Sequence, residues 1–298
     1  MIGGAALLRE AARRRGLTIP IAEIADIADA ARHFADALPV LRGGDAPYRP
    51  GQPDEGGARL ALASLEEATA LAVAGRASAM VTGPVAKSEL AKAGFIFPGQ
   101  TEFVADACGV AADDAVMLLA GPQLRAVPLT IHIPLADVPR HVTRELILRR
   151  TRVVHAAMQR DFGISAPRIA ICGLNPHAGE AGRMGREEME TIAPAIAELQ
   201  ADVITATGPH PGDSLFAPHA RGGYDVAIAM YHDQALVPVK ALDFDAGVNM
   251  TLGLPIVRTS PDHGTAFAIA GAGEARPGAL IAAIRMAGQA AAARRAAA

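Results

Sequence analysis

The sequence is poor in aromatic residues and has no excess of charge of either sign. Tryptophan is absent from its 298 residues, and Phe, Trp and Tyr together make up 4%, so a platform on which nucleic-acid bases stack is not expected. The formal net charge is −3, whereas nucleic-acid-binding domains normally have a basic excess. We therefore expect no nucleic-acid partner.

Long apolar runs and cysteine pairs are scarce as well. The apolar runs end well before the roughly 20 residues that a membrane-spanning helix needs, and residues 1–16 lack the apolar core and cleavage site of a secretion signal. Cys108 and Cys172 are too few for a disulfide framework and are expected to be small buried thiols of a reducing compartment. These absences predict a cytoplasmic protein with no membrane partner.

Apolar segments of strand length alternate along the chain with segments of helical periodicity. Residues 143–160 and 187–199 have apolar positions at helical spacing, and Thr143 is placed to cap the first of these helices. This alternation predicts an α/β protein with a largely parallel sheet. Residues 43–57 are predicted to form a surface connection, and residues 290–298 a frayed helix end. The predicted strands are 79–81, 115–120, 125–131, 168–174 and 225–231.

Three histidines follow predicted strands. His132 comes directly after residues 125–131, His177 lies three residues beyond residue 174, and His232 comes directly after residue 231. Ligands of open parallel sheets bind beyond the carboxyl ends of the strands, and three neutral imidazoles with open coordination positions suit Zn²⁺ or a similar divalent ion. The alternative is that each is a hydrogen-bonded structural residue, because their spacing matches no short zinc motif.

Cationic and polar residues cluster near the same segments. Lys240 follows His232 by eight residues, and Asn249 and Arg258 follow at intervals of nine. A lysine and an arginine near a metal site suit a phosphate or a carboxylate, although both can also be solvated surface charges. Asp213, in a Pro-Gly-Asp-Ser segment, is either a turn-forming residue or a carboxylate that faces the site.

A turn rich in small residues surrounds His263. Residues 259–266 read Thr-Ser-Pro-Asp-His-Gly-Thr-Ala, and such a turn before a helix presents backbone N–H groups to a phosphate or a nucleoside. An ordinary structural turn is the alternative. The sequence has no G-x-G-x-x-G run after a strand, so the usual Rossmann fingerprint is absent.

Six ungapped segments between residues 79 and 271 carry a family resemblance. They resemble the 4-hydroxythreonine-4-phosphate dehydrogenase family of pyridoxal phosphate biosynthesis, and they cover most of the chain. The segments are VTGPVAK (81–87), GQTEF (99–103), TIHIPL (130–135), LNPHAGEAGRMG (174–185), AMYHDQ (229–234) and GVNMTLGLPIVRTSPDHGTAFAIAG (247–271).

The resemblance implies an isocitrate/isopropylmalate-dehydrogenase-like α/β fold with two α/β lobes and a cleft between them, rather than a standard Rossmann domain. We expect residues 1–100 and 275–298 to form the first lobe. Residues 101–274 are expected to form the second lobe, with the metal site and the dimer contacts. The resemblance also implies a homodimer whose active site lies at the subunit interface.

The implied activity is the NAD- or NADP-dependent oxidation of 4-phosphooxy-L-threonine to 2-amino-3-oxo-4-phosphooxybutanoate, followed by decarboxylation to 3-amino-2-oxopropyl phosphate. It needs one divalent metal ion per site, such as Zn, Mg or Co, at the histidines named above. Asp213 is the candidate general base, with metal-bound hydroxide as the alternative. The implied substrate contacts are Gln100, Thr101, Lys240, Asn249 and Arg258, and the implied cofactor contacts, by similarity to isopropylmalate dehydrogenases, are His263, Gly264 and Thr265.

The sequence departs from the family pattern at two places. Gln100 stands where the family often has histidine, and glutamine cannot carry a proton at neutral pH. The family usually opens with a strand and a Gly-Asp-Pro-x-Gly-Ile-Gly-Pro-Glu turn, which residues 1–16 do not contain. Loss of an inner strand would expose backbone groups and an apolar face.

Other functions stay open at this point. One is a related dehydrogenase of 4-phospho-D-threonate, 4-phospho-D-erythronate or an aromatic cis-dihydrodiol. Another is a metal-dependent hydrolase that uses no nucleotide. Residues 262–266, which resemble a cofactor-binding turn, argue against a hydrolase. The last is an inactive scaffold that has lost the opening segment.

Overall fold

An eight-stranded sheet and a separate two-stranded sheet organise the fold in the computed structural model, which describes residues 1–297. The strands are β1 (Ile21–Ile24), β2 (Leu38–Leu41), β3 (Met80–Val81), β4 (Val116–Ala120), β5 (Arg125–Pro128), β6 (Ile169–Cys172), β7 (Ala206–His210), β8 (Val226–Ala229), β9 (Val248–Leu252) and β10 (Arg258–Pro261). The predicted α/β class is confirmed.

Twelve α-helices connect and cover these strands, and a π-helical turn at Glu188–Ile192 leads into α8. The helices are α1 (Ala5–Arg14), α2 (Ala30–His33), α3 (Glu55–Val73), α4 (Lys87–Lys92), α5 (Gln100–Ala107), α6 (Val138–His141), α7 (Arg144–Phe162), α8 (Ala193–Ala201), α9 (Gly212–Leu215), α10 (Pro218–Arg221), α11 (His232–Asp243) and α12 (Gly278–Ala297). No helix within residues 1–297 is long and apolar enough to span a bilayer.

The large sheet is mixed: four of its strand pairs, including β3–β10, are parallel and three are antiparallel, so the prediction of a largely parallel sheet holds for only part of it. Its order is β3-β10-β9-β4-β5-β8-β6-β7. Strands β5, β8, β6 and β7 run parallel, whereas β10–β9, β9–β4 and β4–β5 are antiparallel. Two short connections produce this reversal. Gly253 follows β9 with a φ of +85° that favours glycine, and Gly121 N donates to Leu124 O in the turn between β4 and β5.

Helices cover both faces of the large sheet. Thr143 Oγ1 accepts from Leu146 N at 3.2 Å at the start of α7, as predicted, and α7 buries Ile147 and Val154 against one face together with α12. On the opposite face α11 buries Leu236 among residues of β5 and β8. Buried aliphatic side chains above and below the strands form the core.

The ends of two predicted segments differ from the prediction. Asp54 Oδ1 accepts from Gly57 N at 2.7 Å and starts α3, so residues 55–57 are helical instead of part of a connection. In α12, Ala290 is buried, and Arg294 Nε donates to the buried Asp161 at 2.6 Å. This ion pair holds the helix in place through residue 297, where a frayed end was predicted; residue 298 lies outside the described residues.

An apolar cavity separates the small sheet from the large one. Ile2 bridges Leu41 of β2, and Leu41 N donates to Met1 O at 2.9 Å. Between this segment and Met80 of β3 lies a cavity of about 570 Å³.

Both cysteines are free thiols, and burial raises the pKa of Cys172 to about 12. Because the thiolate is the reactive form, Cys172 is expected to resist iodoacetamide at pH 8 in the native protein and to react only after unfolding. Cys108 is partly exposed and is the internal control, expected to react first. Peptide mass spectrometry measures both, and rapid alkylation of native Cys172 would contradict its burial.

Candidate active site

A cavity of about 550 Å³ opens beyond the carboxyl ends of β5 and β8, next to β9 and β10. Residues from many helices, strands and strand ends meet there, although they lie far apart in the sequence. Nine of the twelve sequence-predicted site residues line it: Gln100, Thr101, His132, His232, Lys240, Asn249, Arg258, His263 and Gly264. The other three predicted residues, His177, Asp213 and Thr265, do not line this cavity.

The imidazole rings of His132 and His232 are neighbours in this cavity. Their centroids are 6.1 Å apart and their planes are inclined by 39°. His232 is the first residue of α11, and its Nδ1 lies 2.7 Å from Asp233 Oδ1. A carboxylate on one ring nitrogen typically orients the other nitrogen toward a metal. The chemistry of this pair fits two ligands of a divalent transition metal.

His177 stands on a turn of left-handed backbone. Residues 177–181 all have positive φ, between 42° and 77°; four of the five are not glycine, and each of these costs about 1 kcal/mol or more. His177 Nδ1 lies 2.7 Å from Glu180 Oε1. This hydrogen bond, followed by the charges of Glu180 and Asp213, raises the pKa of His177. In both His177 and His232, therefore, a neighbouring carboxylate binds Nδ1 of the imidazole.

The buried carboxylate of Glu188 supports that turn. It accepts hydrogen bonds from the backbone N–H groups of Leu174 at 2.8 Å and Asn175 at 2.7 Å, and from Asn175 Nδ2 at 3.0 Å. Burial acts to raise the pKa of Glu188, but these hydrogen bonds outweigh it and lower the pKa. A Cβ on Gly179 would stand 2.6 Å from Glu188 Oε2, so the carboxylate can approach only a glycine there.

The three predicted imidazoles do not meet within one chain. In the part of the chain that the structure describes, no three His, Cys, Asp or Glu side chains are close enough to hold a metal ion. His177 and Asp213 lie outside the cavity of His132 and His232, and Asp213 lies near enough to His177 to act on its pKa. Thr265 faces a second cavity, of about 310 Å³.

Arg258 is the buried cation of the main cavity, with 4% of the residue exposed. Its guanidinium donates to Thr82 Oγ1 at 3.0 Å, Gln100 Oε1 at 3.2 Å and Thr251 Oγ1 at 3.2 Å. Among the described residues no carboxylate lies within 4.0 Å of it. Burial lowers the pKa of Arg258 to about 10, so it stays charged at neutral pH. A desolvated cation with neutral partners suits an anionic ligand.

Two further side chains, Gln100 and Lys240, line the cavity beside Arg258. We call the part of the cavity formed by Arg258, Lys240 and Gln100 the basic wall. Gln100 Nε2 donates to Gly83 O at 3.1 Å, which turns its Oε1 toward Arg258. The amide therefore orients the guanidinium, a role that needs no proton transfer. Lys240 Nζ lies 3.1 Å from Asp262 Oδ2, so this lysine is held within the cavity by an ion pair.

Arg150 and Asp262 also line the cavity, and neither is among the site residues predicted from the sequence. Arg150 lies in α7 between Ile147 and Val154, three residues after one and four before the other. A charged residue inside the apolar stripe of a helix was the available signal. Asp262 had no signal of its own beyond its place in the turn around His263.

A cavity at strand ends that contains buried cations and paired imidazoles is typical of an enzyme for a small anionic substrate. A family model described as pyridoxal phosphate biosynthetic protein PdxA matches residues 1–287. The chain belongs to this family, so the resemblance seen in the sequence is confirmed.

Known relatives agree with this assignment. The chain is 63% identical to a 4-hydroxythreonine-4-phosphate dehydrogenase of Erythrobacter litoralis, over 98% of this chain and 87% of the relative. A solved 4-hydroxythreonine-4-phosphate dehydrogenase from Burkholderia phymatum is 38% identical, with a TM-score of 0.83 and coverage of 97% and 87%. A terephthalate 1,2-cis-dihydrodiol dehydrogenase from Burkholderia xenovorans is 29% identical, with a TM-score of 0.64 and coverage of 97% and 89%.

Proposed function

We propose that the protein oxidises 4-phosphooxy-L-threonine with NAD or NADP in a metal-dependent reaction, and that decarboxylation to 3-amino-2-oxopropyl phosphate follows. The observation that carries this proposal is Arg258, a buried cation whose hydrogen-bond partners are neutral, in the same cavity as His132 and His232. The nearest acidic influence on it is the charge of Glu102, which makes no salt bridge with it, so an anionic substrate can supply a direct counter-charge. The relatives named as dehydrogenases of this substrate support it.

The metal is proposed to bind His132 and His232 of one subunit and the partner's His177. One chain offers only two of these imidazoles in the cavity, whereas His177 stands exposed on its rigid turn. A homodimer with the site at its interface resolves this difference. A bound divalent ion would supply Lewis acidity toward the hydroxyl oxygen on the carbon that is oxidised.

The anionic groups of the substrate are proposed to bind the basic wall. Arg258 offers N–H groups in a fixed fork, Lys240 a point charge, and Asn249 and Thr101 neutral hydrogen bonds. Gln100 keeps the guanidinium in place through its amide oxygen. These contacts bind and orient the substrate so that its hydroxyl group faces the two imidazoles.

The nicotinamide dinucleotide is proposed to lie along the turn at residues 263–265. Gly264 lines the main cavity and Thr265 the second one, so the turn borders space for both halves of a dinucleotide. A nicotinamide held there would supply the hydride-acceptor chemistry of the oxidation. Asp213 is the proposed general base, because it stands beside His177 and would enter a shared site with that imidazole.

The test is an assay of purified protein with 4-phosphooxy-L-threonine, NAD or NADP, and Zn²⁺, Mg²⁺ or Co²⁺. Absorbance at 340 nm should rise only when substrate, nucleotide and metal are all present. Turnover of 4-phospho-D-threonate, 4-phospho-D-erythronate or an aromatic cis-dihydrodiol in its place would overturn the substrate assignment. The unpaired Arg258 and the neighbouring Lys240 favour a phosphorylated substrate over the dihydrodiol.

A further inference from the structure

The wall of the main cavity contains a second cation, Arg150, to which the proposed function gives no role. Arg150 Nη1 donates to the carbonyl oxygen of Leu129 at 2.7 Å, and its Nε is buried without a hydrogen-bond partner. Across residues 1–297 no carboxylate oxygen lies within 4.0 Å of its guanidinium. A structural arginine normally satisfies its charge with such a partner, so this one is available to a ligand.

Three acidic residues line the cavity: the charge of Glu102 acts on Arg258, and the other two have direct contacts elsewhere. Asp113 Oδ2 lies 3.3 Å from Arg149 Nη1, and Asp262 lies 3.1 Å from Lys240. Asp113 acts on Arg150 only through its more distant charge. Neither acid therefore neutralises the guanidinium of Arg150 by direct contact.

Arg150 and Arg258 enter the wall of the cavity from different elements. Arg150 contacts Leu129, the residue that follows β5, three residues before His132. Arg258 belongs to β10, three strands away across the sheet order β10-β9-β4-β5. Neighbouring strands lie about 4.8 Å apart, so the backbone that Arg150 contacts and the backbone of Arg258 are separated by roughly 14 Å. Two guanidinium groups that line one cavity from such separate anchor points suit a ligand with two anionic ends.

We propose that Arg150 is a substrate-binding residue that holds the second oxyanion of the bound substrate. The inference rests on the proposed function, because 4-phosphooxy-L-threonine carries both a phosphate and a carboxylate. Arg258 and Lys240 bind one of these groups and Arg150 binds the other. Charge-assisted hydrogen bonds from both ends fix the position of the hydroxyl group between them.

The test compares Arg150→Met with Arg149→Met, a neighbour on the same helix whose guanidinium is bound to Asp114 at 2.6 and 2.9 Å. Calorimetry measures the binding of inorganic phosphate and, separately, of L-threonine, which has the carboxylate but no phosphate. Arg150→Met should weaken the binding of one probe about 10- to 100-fold, whereas Arg149→Met should leave both unchanged. The probe that is affected identifies the group that Arg150 holds.

Turnover gives an independent measurement. The KM for 4-phosphooxy-L-threonine should rise about 10- to 100-fold in Arg150→Met, with a smaller change in kcat, and Arg150→Lys should recover part of the loss because it keeps the charge. Unchanged probe binding and unchanged KM in both Arg150 variants would overturn the assignment. If the wild-type protein oxidises nothing but binds phosphate or L-threonine in an Arg150-dependent way, the proposed function fails and the anion site stands.

Discussion

Replacing His177 with alanine is expected to reduce metal content and turnover together, each by more than about 100-fold. Loss of a group that merely orients a metal ligand typically changes metal affinity or activity 10- to 100-fold, and His177 is a proposed ligand itself. Its Nδ1 is held by Glu180, so the ring offers Nε2 to the ion. Metal analysis by mass spectrometry and the 340 nm assay measure the two losses.

Mixing two inactive variants tests whether the site is shared. In a mixed dimer of His177→Ala and His232→Ala subunits, one site has both substitutions and the other has neither. Random assortment makes half of the dimers mixed, each with one intact site, so co-expression should restore about a quarter of the wild-type activity. Each variant alone should stay inactive.

The control for both experiments is His219→Ala, because His219 is an exposed residue of α10 away from the cavity. It should keep its metal and its activity. Full metal content in His177→Ala would remove this residue from the ligand set. A lack of recovery in mixed dimers would place the whole site within one chain.

Replacing Arg258 with methionine is expected to stabilise the protein while it inactivates the enzyme. The guanidinium is desolvated and its hydrogen-bond partners are neutral, so its removal relieves a buried charge, which typically raises the free energy of unfolding by about 1–3 kcal/mol. Loss of its contact with the substrate costs about 2–5 kcal/mol, which lowers kcat/KM roughly 30-fold to several thousand-fold. Urea denaturation and steady-state kinetics separate the two effects.

The matched control is Arg32→Met. Arg32 is exposed and pairs with Asp29 at 3.1 Å, so its removal should change the free energy of unfolding by less than about 0.5 kcal/mol. A lower stability of Arg258→Met with unchanged kcat/KM would show that Arg258 is a structural residue.

The sequence predicted the parts of the fold and site that depend on local pattern. The alternation of apolar segments predicted the strands, and the position of His132 and His232 after two of them predicted that their side chains meet, which the structure confirms with a ring separation of 6.1 Å. Thr143 predicted the start of α7 because a hydroxyl group caps free N–H groups.

What the sequence could not supply depends on distant contacts. The antiparallel part of the sheet follows from which strands pair, and periodicity does not specify the partner. The left-handed turn at residues 177–181 is held by Glu188, which lies at least seven residues beyond the turn. The residues of the turn alone therefore do not predict its conformation. The place of Arg150 in the apolar stripe of α7 marks it as unusual, but the cavity that it lines is built from distant segments, which local pattern does not describe.

The turn that carries His177 has a consequence for the proposed homodimer. Because Glu188 holds the turn in one conformation, little freedom would be lost if it docked against a second molecule, and docking of preordered segments is correspondingly stronger. Met184 and Met189, exposed at 44% and 50% beside the turn, would then add apolar contact area to the proposed interface. Activity in dilute solution should therefore persist to lower protein concentration than it would with a loop that had to become ordered on contact.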